Sequence, residues 1–377
     1  MKISDIADII NVTEKDPSNS GIDVYVGLEH YDIAEPVIKR FGSTKMLSTA
    51  AKKFEAGDVL IARRNVYLQR ASVARFAGLT SGDSIVLRVK KNLKIEGTDY
   101  ETMCQLLPFI LNSINFWDYA NTNADGTMSK RLSPAILQEY EFDIPSIDEQ
   151  KVLAEKLWAA YEVKQSYLKL IDATQEMVKA QFIDMFKNSC WPVKPLSELC
   201  EIITDGEHQT PRRVDSGIFL LSARNIQNQN LSLDVVDFID EQEYKRISKR
   251  IVPQEGDILV SCSGSVGRTC VVPKGLKFQL VRSVALLRVK PDLYPLFLSY
   301  QMAMPSVQRQ IDNLKSKTSQ ANLFQGNIKK IRVIVPTKKE QHYFISIVTQ
   351  ADKSISELRK SIDAIDKVIK SLINENL

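Results

Sequence analysis

Apolar residues recur with two different periods along this chain, and the change from one to the other happens twice. Short apolar or β-branched runs such as Val59-Leu60-Ile61 and Val86-Leu87-Arg88-Val89 have the length and composition of buried strands. Runs of the same kind return at Ile258-Leu259-Val260 and Ala285-Leu286-Leu287-Arg288-Val289. Gly57-Asp58 and Gly256-Asp257 stand just before two of these runs and signal turns. Segments near 101–117 and 293–311 read as short helices. After each mixed stretch the spacing becomes that of one long helix. In the second, Val348, Ala351, Ile355, Leu358, Ile362, Ile365, Ile369 and Leu372 step by three and four alternately, which is a coiled-coil seam. In the first, the same steps fall at Ala154, Leu157, Tyr161, Lys164, Leu168, Ile171, Gln175, Val178, Phe182 and Met185. Lys164 and Gln175 interrupt its apolar run, and Asn188 and Pro192 end it.

The starts of both long helices are marked alike. Ser146-Ile147-Asp148-Glu149 and Thr337-Lys338-Lys339-Glu340 fit the S/T-x-x-E capping box, each preceded by a proline. In such a box the hydroxyl accepts the amide three residues on and the glutamate reaches back. The likeness extends further. Ile3-Ser4-Asp5-Ile6 answers Leu196-Ser197-Glu198-Leu199, and Gly57-Asp58-Val59-Leu60-Ile61 answers Gly256-Asp257-Ile258-Leu259-Val260. Leu87-Arg88-Val89-Lys90 recurs as Leu287-Arg288-Val289-Lys290, and Ile144-Pro145 with Glu149-Gln150 recurs as Val335-Pro336 with Glu340-Gln341. Four matches in one order, at nearly constant separation, make an internal repeat.

The expected architecture is α+β. Two similar domains, 1–145 and 191–336, are each followed by a long helix, 146–190 and 337–377. The connectivity predicts that the helices pair antiparallel as a coiled coil, with a pseudo-two-fold axis through its middle.

Composition narrows the function by exclusion. The chain has 377 residues, 44% hydrophobic and 25% charged, with a formal net charge of +4. That balance suits more than one folded core and permits nucleic-acid binding without requiring it. Five cysteines, at 104, 190, 200, 262 and 270, show no C-x-x-C pair, so neither a disulfide framework nor a zinc site is expected. There is no apolar signal core and no membrane span, and the expectation is a cytoplasmic protein without membrane association. Only three histidines occur, at 30, 208 and 342, far apart in sequence. Phosphate-loop, dinucleotide and Asn-Pro-Pro-Tyr signatures are absent, so no catalytic residue, metal or cofactor is assigned. Glu149-Gln150-Lys151 has a nuclease-like form, but it opens a helix and its twin loses the lysine, so capping explains both.

A repeated domain on a helical spacer suits a bipartite, linear target, and duplex DNA is the obvious one. Candidate contacts lie in loops beside the matched strands. They are Arg63, Arg64, Asn65 and Arg70, with Lys130 and Arg131, in the first copy. The second copy offers Ser263, Ser265 and Arg268, then Lys315, Lys317, Gln320 and Asn322, with Arg224 and Asn225 as a third loop. Arginine can fork onto guanine and asparagine onto adenine, while small residues let backbone approach phosphates.

The stretches Gly217-Ile218-Phe219-Leu220-Leu221-Ser222-Ala223-Arg224-Asn225-Ile226 and Gly256-Asp257-Ile258-Leu259-Val260-Ser261 with Gly264-Ser265-Val266-Gly267 resemble the specificity subunits of type I restriction–modification systems. The domain exits Ile-Pro…Glu-Gln and Val-Pro…Glu-Gln add to the likeness, as do Tyr25-Val26-Gly27-Leu28-Glu29-His30 and Ser81-Gly82-Asp83-Ser84-Ile85-Val86-Leu87. The resemblance implies two target-recognition domains, each reading half of a split DNA site. It implies helices that set the gap and dock methyltransferase subunits, two in number, through seam residues such as Leu157, Tyr161, Leu168, Ile171, Val178, Phe182, Val348, Ile355, Leu358, Ile362, Ile365, Ile369 and Leu372. S-adenosylmethionine would then sit on the partner methyltransferase, and restriction–translocase subunits could join. The first copy departs from the family's Ser-Gly-Ser-x-Gly pattern, with Arg63-Arg64-Asn65 there, which leaves a shared loop geometry open. A scaffold with two protein-binding modules, or a specificity-like subunit of another phage-defence system, are the alternatives.

Overall fold

The computed structural model describes every residue except 94, 128, 188–190 and 317–320. The chain forms two compact units: Met1–Lys169 with Leu358–Leu377, and Leu170–Glu357. The long helices Ile147–Phe186 and Lys338–Asn376 are thus each divided between the units.

Unit 1 is built on a four-stranded antiparallel sheet in the order Ala7–Ile9, Ser84–Val89, Val59–Ala62, Ala71–Val73. Unit 2 repeats it with Cys200–Asp205, Val284–Val289, Ile258–Ser261 and Thr269–Val271. The registers match: Val59 faces Leu87 and Ala62 faces Ser84, as Ile258 faces Leu287 and Ser261 faces Val284. A second, parallel pairing also recurs. Val24–Val26 runs beside Gly78–Thr80, and Ile218–Leu221 beside Phe278–Leu280. Central strands of each sheet are buried throughout, because both faces are covered.

Two short helices follow each sheet, at Tyr100–Ile110 and Ile114–Asn123 and at Pro295–Met302 and Pro305–Leu314. Asp99 and Ser113 cap the first pair by accepting the amides of Thr102 and Phe116. Prolines at the first helical position start the second pair. A third short helix, Pro134–Gln138 or Gln325–Ile328, leads to the long one.

The repeated sequence motifs fall where the chain is locked to itself. Asp58 and Asp257, buried in their turns, each receive a two-pronged arginine, Arg88 and Arg288, from the neighbouring strand. Lys90 and Lys290 each donate to a carbonyl at the start of their unit, that of Ser4 and that of Glu198. At each long-helix start the glutamate reaches back to the Ser146 or Thr337 amide. The hydroxyl bonds that same carboxylate rather than an amide, which corrects the expected box. The glutamine next to it is the larger anchor. Gln150 is fully buried, donating to the carbonyls of Gly97 and Pro145 and accepting from the Thr98 hydroxyl. Gln341 does the same with Asp292, Pro336 and the Tyr294 amide.

Both long helices contribute to both cores. In unit 1, Leu157, Tyr161 and Ile373 join the cluster of Leu87, Leu106 and Trp117. In unit 2, Phe182 and Phe186 of the first long helix meet Phe297 and Phe344, with ring centres 4.9 to 6.1 Å apart. Of the expected seam, Leu157, Tyr161, Ile171, Val178, Phe182, Val348, Ile355 and Ile362 are buried, and Leu358, Ile365, Ile369 and Leu372 are half-buried. Leu168 departs from it, being 37% exposed. A straight 3.6-residue helix drifts off a seven-residue repeat, so a long seam does not stay buried at every predicted step. Lys164, which interrupts the pattern, lies 2.5 Å from Asp366 of the second helix within unit 1.

Candidate nucleic-acid interface

In each unit the loops at one end of the four-stranded sheet are tied into a single surface, and most of the predicted contacts lie on it. In unit 1 the Asn65 amide donates to the Lys130 carbonyl, the Leu132 amide to the Arg63 carbonyl, and the Arg63 amide to the Asp83 carbonyl. Arg64 and Arg131 face each other across an isolated antiparallel bridge. In unit 2 the Leu323 amide donates to the Cys262 carbonyl, the Cys262 amide to the Ser283 carbonyl, and Ser263 bridges to Asn322. The two candidate loops of each unit, distant in sequence, therefore share one scaffold. Arg64, Asp83 and Arg131 stand where unit 2 has Ser263, Ser283 and Asn322.

The loop after the central strand is closed by a matching backbone bond in both units, although the unit 1 loop is one residue longer and contains the short turn Val66–Leu68. The Ala62 amide donates to the Arg70 carbonyl, and the Ser261 amide to the Arg268 carbonyl. Each loop carries two left-handed residues, Asn65 and Gln69 (φ 55° and 49°) in one and Gly264 and Gly267 (φ 67° and 89°) in the other. Left-handed backbone costs a residue with a Cβ about 1–2 kcal/mol. Glycine removes that cost in unit 2. In unit 1 the Asn65 carboxamide accepts the Ser129 hydroxyl, which fixes the turn to the second loop. At Gly267 a side chain would also meet Gln308 and Ile311 at 3.2 Å. Beside this loop in unit 2 lies an open cleft of about 270 Å³, lined by Asn228, Ser265, Val266, Arg268, Ala303 and Gln308.

The predicted contacts divide into exposed and committed groups. Arg64 and Arg131 are 46% and 42% exposed and approach Asp83 at 3.4 and 3.5 Å, too far for ordinary hydrogen bonds. Ser265 is exposed and Ser263 and Asn322 are half-buried. Arg70 is spent inside the fold, donating to the carbonyls of Leu28 and Arg64. Arg63 is half-buried, and its Nε is enclosed without a partner. The Lys130 ammonium donates to the Asn121 carbonyl, Lys315 pairs with Asp312 at 2.6 Å, and Arg268 donates to Gln227. Arg224 donates to Asp237, which also holds Arg213. Lys317 and Gln320 lie outside the described residues.

Asn225 is a correction. It is 1% exposed; its nitrogen donates to the carbonyls of Ser232 and Val235, and its oxygen accepts the Ser222 amide and hydroxyl. Both donors and both acceptor sites are used, so no group is left for a base. In unit 1 the same turn is closed by His30, whose Nδ1 accepts the Gly27 amide at 2.9 Å.

Sequence reasoning missed one loop of this surface, Asp205-Gly206-Glu207-His208. Asp205 binds Arg250 at 2.5 Å and lies 2.9 Å from His208 Nε2. A Cβ on Gly206 would sit 2.5 Å from the carbonyl oxygens of Leu280 and Val281, so only glycine fits. The signal in the sequence was a glycine between two acids at a strand end. Cys262 lies within the surface, and burial pushes its thiol up to about 12, which keeps it protonated and unreactive at neutral pH. Among the described residues no group of three or more His, Cys, Asp or Glu is placed to hold a metal, and no helix is long and apolar enough to cross a membrane.

Residues 188–367 match the family model for the type I restriction modification DNA specificity domain. The chain is 22% identical over 315 residues to the type I restriction enzyme EcoBI specificity subunit of Escherichia coli, covering 71% of this chain and 62% of that protein. It therefore spans less than two thirds of that relative's length. It shares its fold with the S subunit of the type I restriction–modification system of M. genitalium (TM-score 0.53, 14% identity, 99% of this chain and 94% of that one). A second solved chain, from work on complex assembly and conformational transition of the type I R-M system, gives a TM-score of 0.55 at 16% identity, over 99% of this chain and 95% of that one. Residues 188–367 are thus similar to the type I restriction modification DNA specificity domain, and the chain as a whole is similar to the specificity subunits of type I restriction enzymes.

Proposed function

We propose that this chain is the DNA specificity subunit of a type I restriction–modification complex. Each unit reads one half of a split duplex site through its loop surface. The two long helices pair antiparallel, hold the two readers at a fixed separation, and dock two methyltransferase subunits. The observation that carries this reading is the repeated scaffold: one loop surface, built by the same backbone bonds in both units, presents Arg64, Asp83 and Arg131 in one and Ser263, Ser283 and Asn322 in the other. A shared frame with different side chains suits two different half-sites.

The chain itself is non-catalytic in this reading. S-adenosylmethionine is held by the partner methyltransferase, and restriction–translocase subunits complete the complex that cuts unmodified DNA. The test is to pull the chain from its host and to map methylated motifs before and after its deletion. Co-purification of a methyltransferase with loss of one split motif is the expected result. Unchanged methylation with no methyltransferase recovered would leave a protein-binding scaffold as the better account.

A further inference from the structure

We infer that the unit 1 surface reads guanine in the major groove through Arg64 and Arg131, with Asp83 as the residue that positions them; this rests on the DNA-reading function proposed above. Three observations carry it. The two guanidiniums are exposed and lie on facing residues of one bridge, so both address the same few base pairs. They flank a single carboxylate, 25% exposed, at 3.4 and 3.5 Å. That carboxylate is at the turn where unit 2 has Ser283, whose hydroxyl accepts the Ala223 amide instead.

The carboxylate decides what the arginines can bind. A phosphate brought to them meets Asp83 as a like charge, which disfavours backbone binding at this spot. A base edge carries no net charge and meets no such repulsion. Arginine's parallel donors fit the O6 and N7 acceptors of guanine, and no other base offers two acceptors side by side in the major groove. The paired cytosine presents an N4 donor, which a carboxylate can accept. Arg–Asp–Arg therefore matches a G·C pair on both of its bases. The ion pairs are loose enough to open toward DNA, since exposed pairs of this kind contribute little to stability. Unit 2 has its own arginine pair at Asp237, but Arg213 and Arg224 are committed there by hydrogen bonds of 2.9 and 2.7 Å.

The test uses the full chain with its co-purifying partners and fluorescein-labelled duplexes carrying the mapped split motif. Guanines of one half-site at a time are replaced by 7-deazaguanine, which lacks the N7 acceptor. In one half-site this weakens wild-type binding about tenfold or more, and the penalty disappears in the Arg64→Ala/Arg131→Ala double variant. In the other half-site the penalty is the same for both proteins. Asp83→Ser strengthens binding to a scrambled duplex several-fold and steepens its salt dependence, whereas a merely structural role would weaken all duplexes alike. Penalties that persist unchanged in the double variant, or an Asp83→Ser protein with unaltered preference and salt slope, overturn the inference while leaving the proposed function standing. Failure of the wild-type complex to prefer the split motif over the scrambled duplex overturns the proposed function, and the inference with it.

Discussion

Arg88 holds Asp58 through two parallel hydrogen bonds of 2.7 and 2.8 Å, and the same pair recurs as Arg288 with Asp257 at 2.8 Å on each prong. Each aspartate also accepts a backbone amide of its turn, that of Glu55 or Gln254, at 2.8 Å. Asp58 is 1% exposed, so its charge depends on these partners. Asp58→Ala would leave Arg88 with only the exposed carboxylate of Glu55, 3.1 Å away, and free the turn. We expect a loss of about 3–5 kcal/mol, read from urea unfolding of the full chain. Loss below about 1 kcal/mol would mean that the turn holds without the pair.

The buried glutamines fasten each long helix to its own unit. Gln341→Leu is close in volume and removes three hydrogen bonds, leaving the Tyr294 amide and the Asp292 and Pro336 carbonyls without their side-chain partner. At about 1–3 kcal/mol for each buried group left unpaired, the variant is expected to lose several kcal/mol. Hydrogen exchange should quicken at 292–294 and at the start of the second long helix. Unchanged protection there would show that the contact is incidental.

Asn225 shapes its loop and does not read bases. Asn225→Ala should lower the melting temperature of unit 2 and weaken binding to every sequence in one half-site about equally, because the loop that supports the surface loosens. A variant with wild-type stability and altered base preference would restore Asn225 as a reader.

Three thiols of unit 2, Cys200, Cys262 and Cys270, are each pushed up to about 12 by burial. A raised pKa means that the folded state keeps its proton after the unfolded chain has lost it. The stabilising difference is complete below the unfolded value near 9 and is lost as pH rises toward 12. At pH 10 each thiol should cost the fold about 1.4 kcal/mol relative to pH 8. Thermal unfolding between pH 8 and 10.5 measures this, and the triple variant Cys200→Ala, Cys262→Ala, Cys270→Ala should show a flatter decline.

The sequence by itself determined the repeat, the two long helices and the turns that open the central strands. These are local matters: a three-and-four apolar spacing or a Gly-Asp before a β-branched run needs no distant partner to be read. It also placed the loop surface in outline, because turn-rich segments beside matched strands are the places where exposed arginines and small residues collect. Only the tertiary structure decided which of those residues are available. Arg70 and Arg64 look alike in the chain, yet one is consumed by the Leu28 and Arg64 carbonyls and the other faces solvent. Asn225 and Asn65 look alike too, yet one is sealed inside its turn and the other links two loops. The equivalence of Asn65 with Gly264 was hidden, because left-handed backbone can be reached by glycine or by an asparagine with a partner. Such differences rest on hydrogen bonds between residues far apart in the chain, and no local pattern records which partner a polar side chain will find.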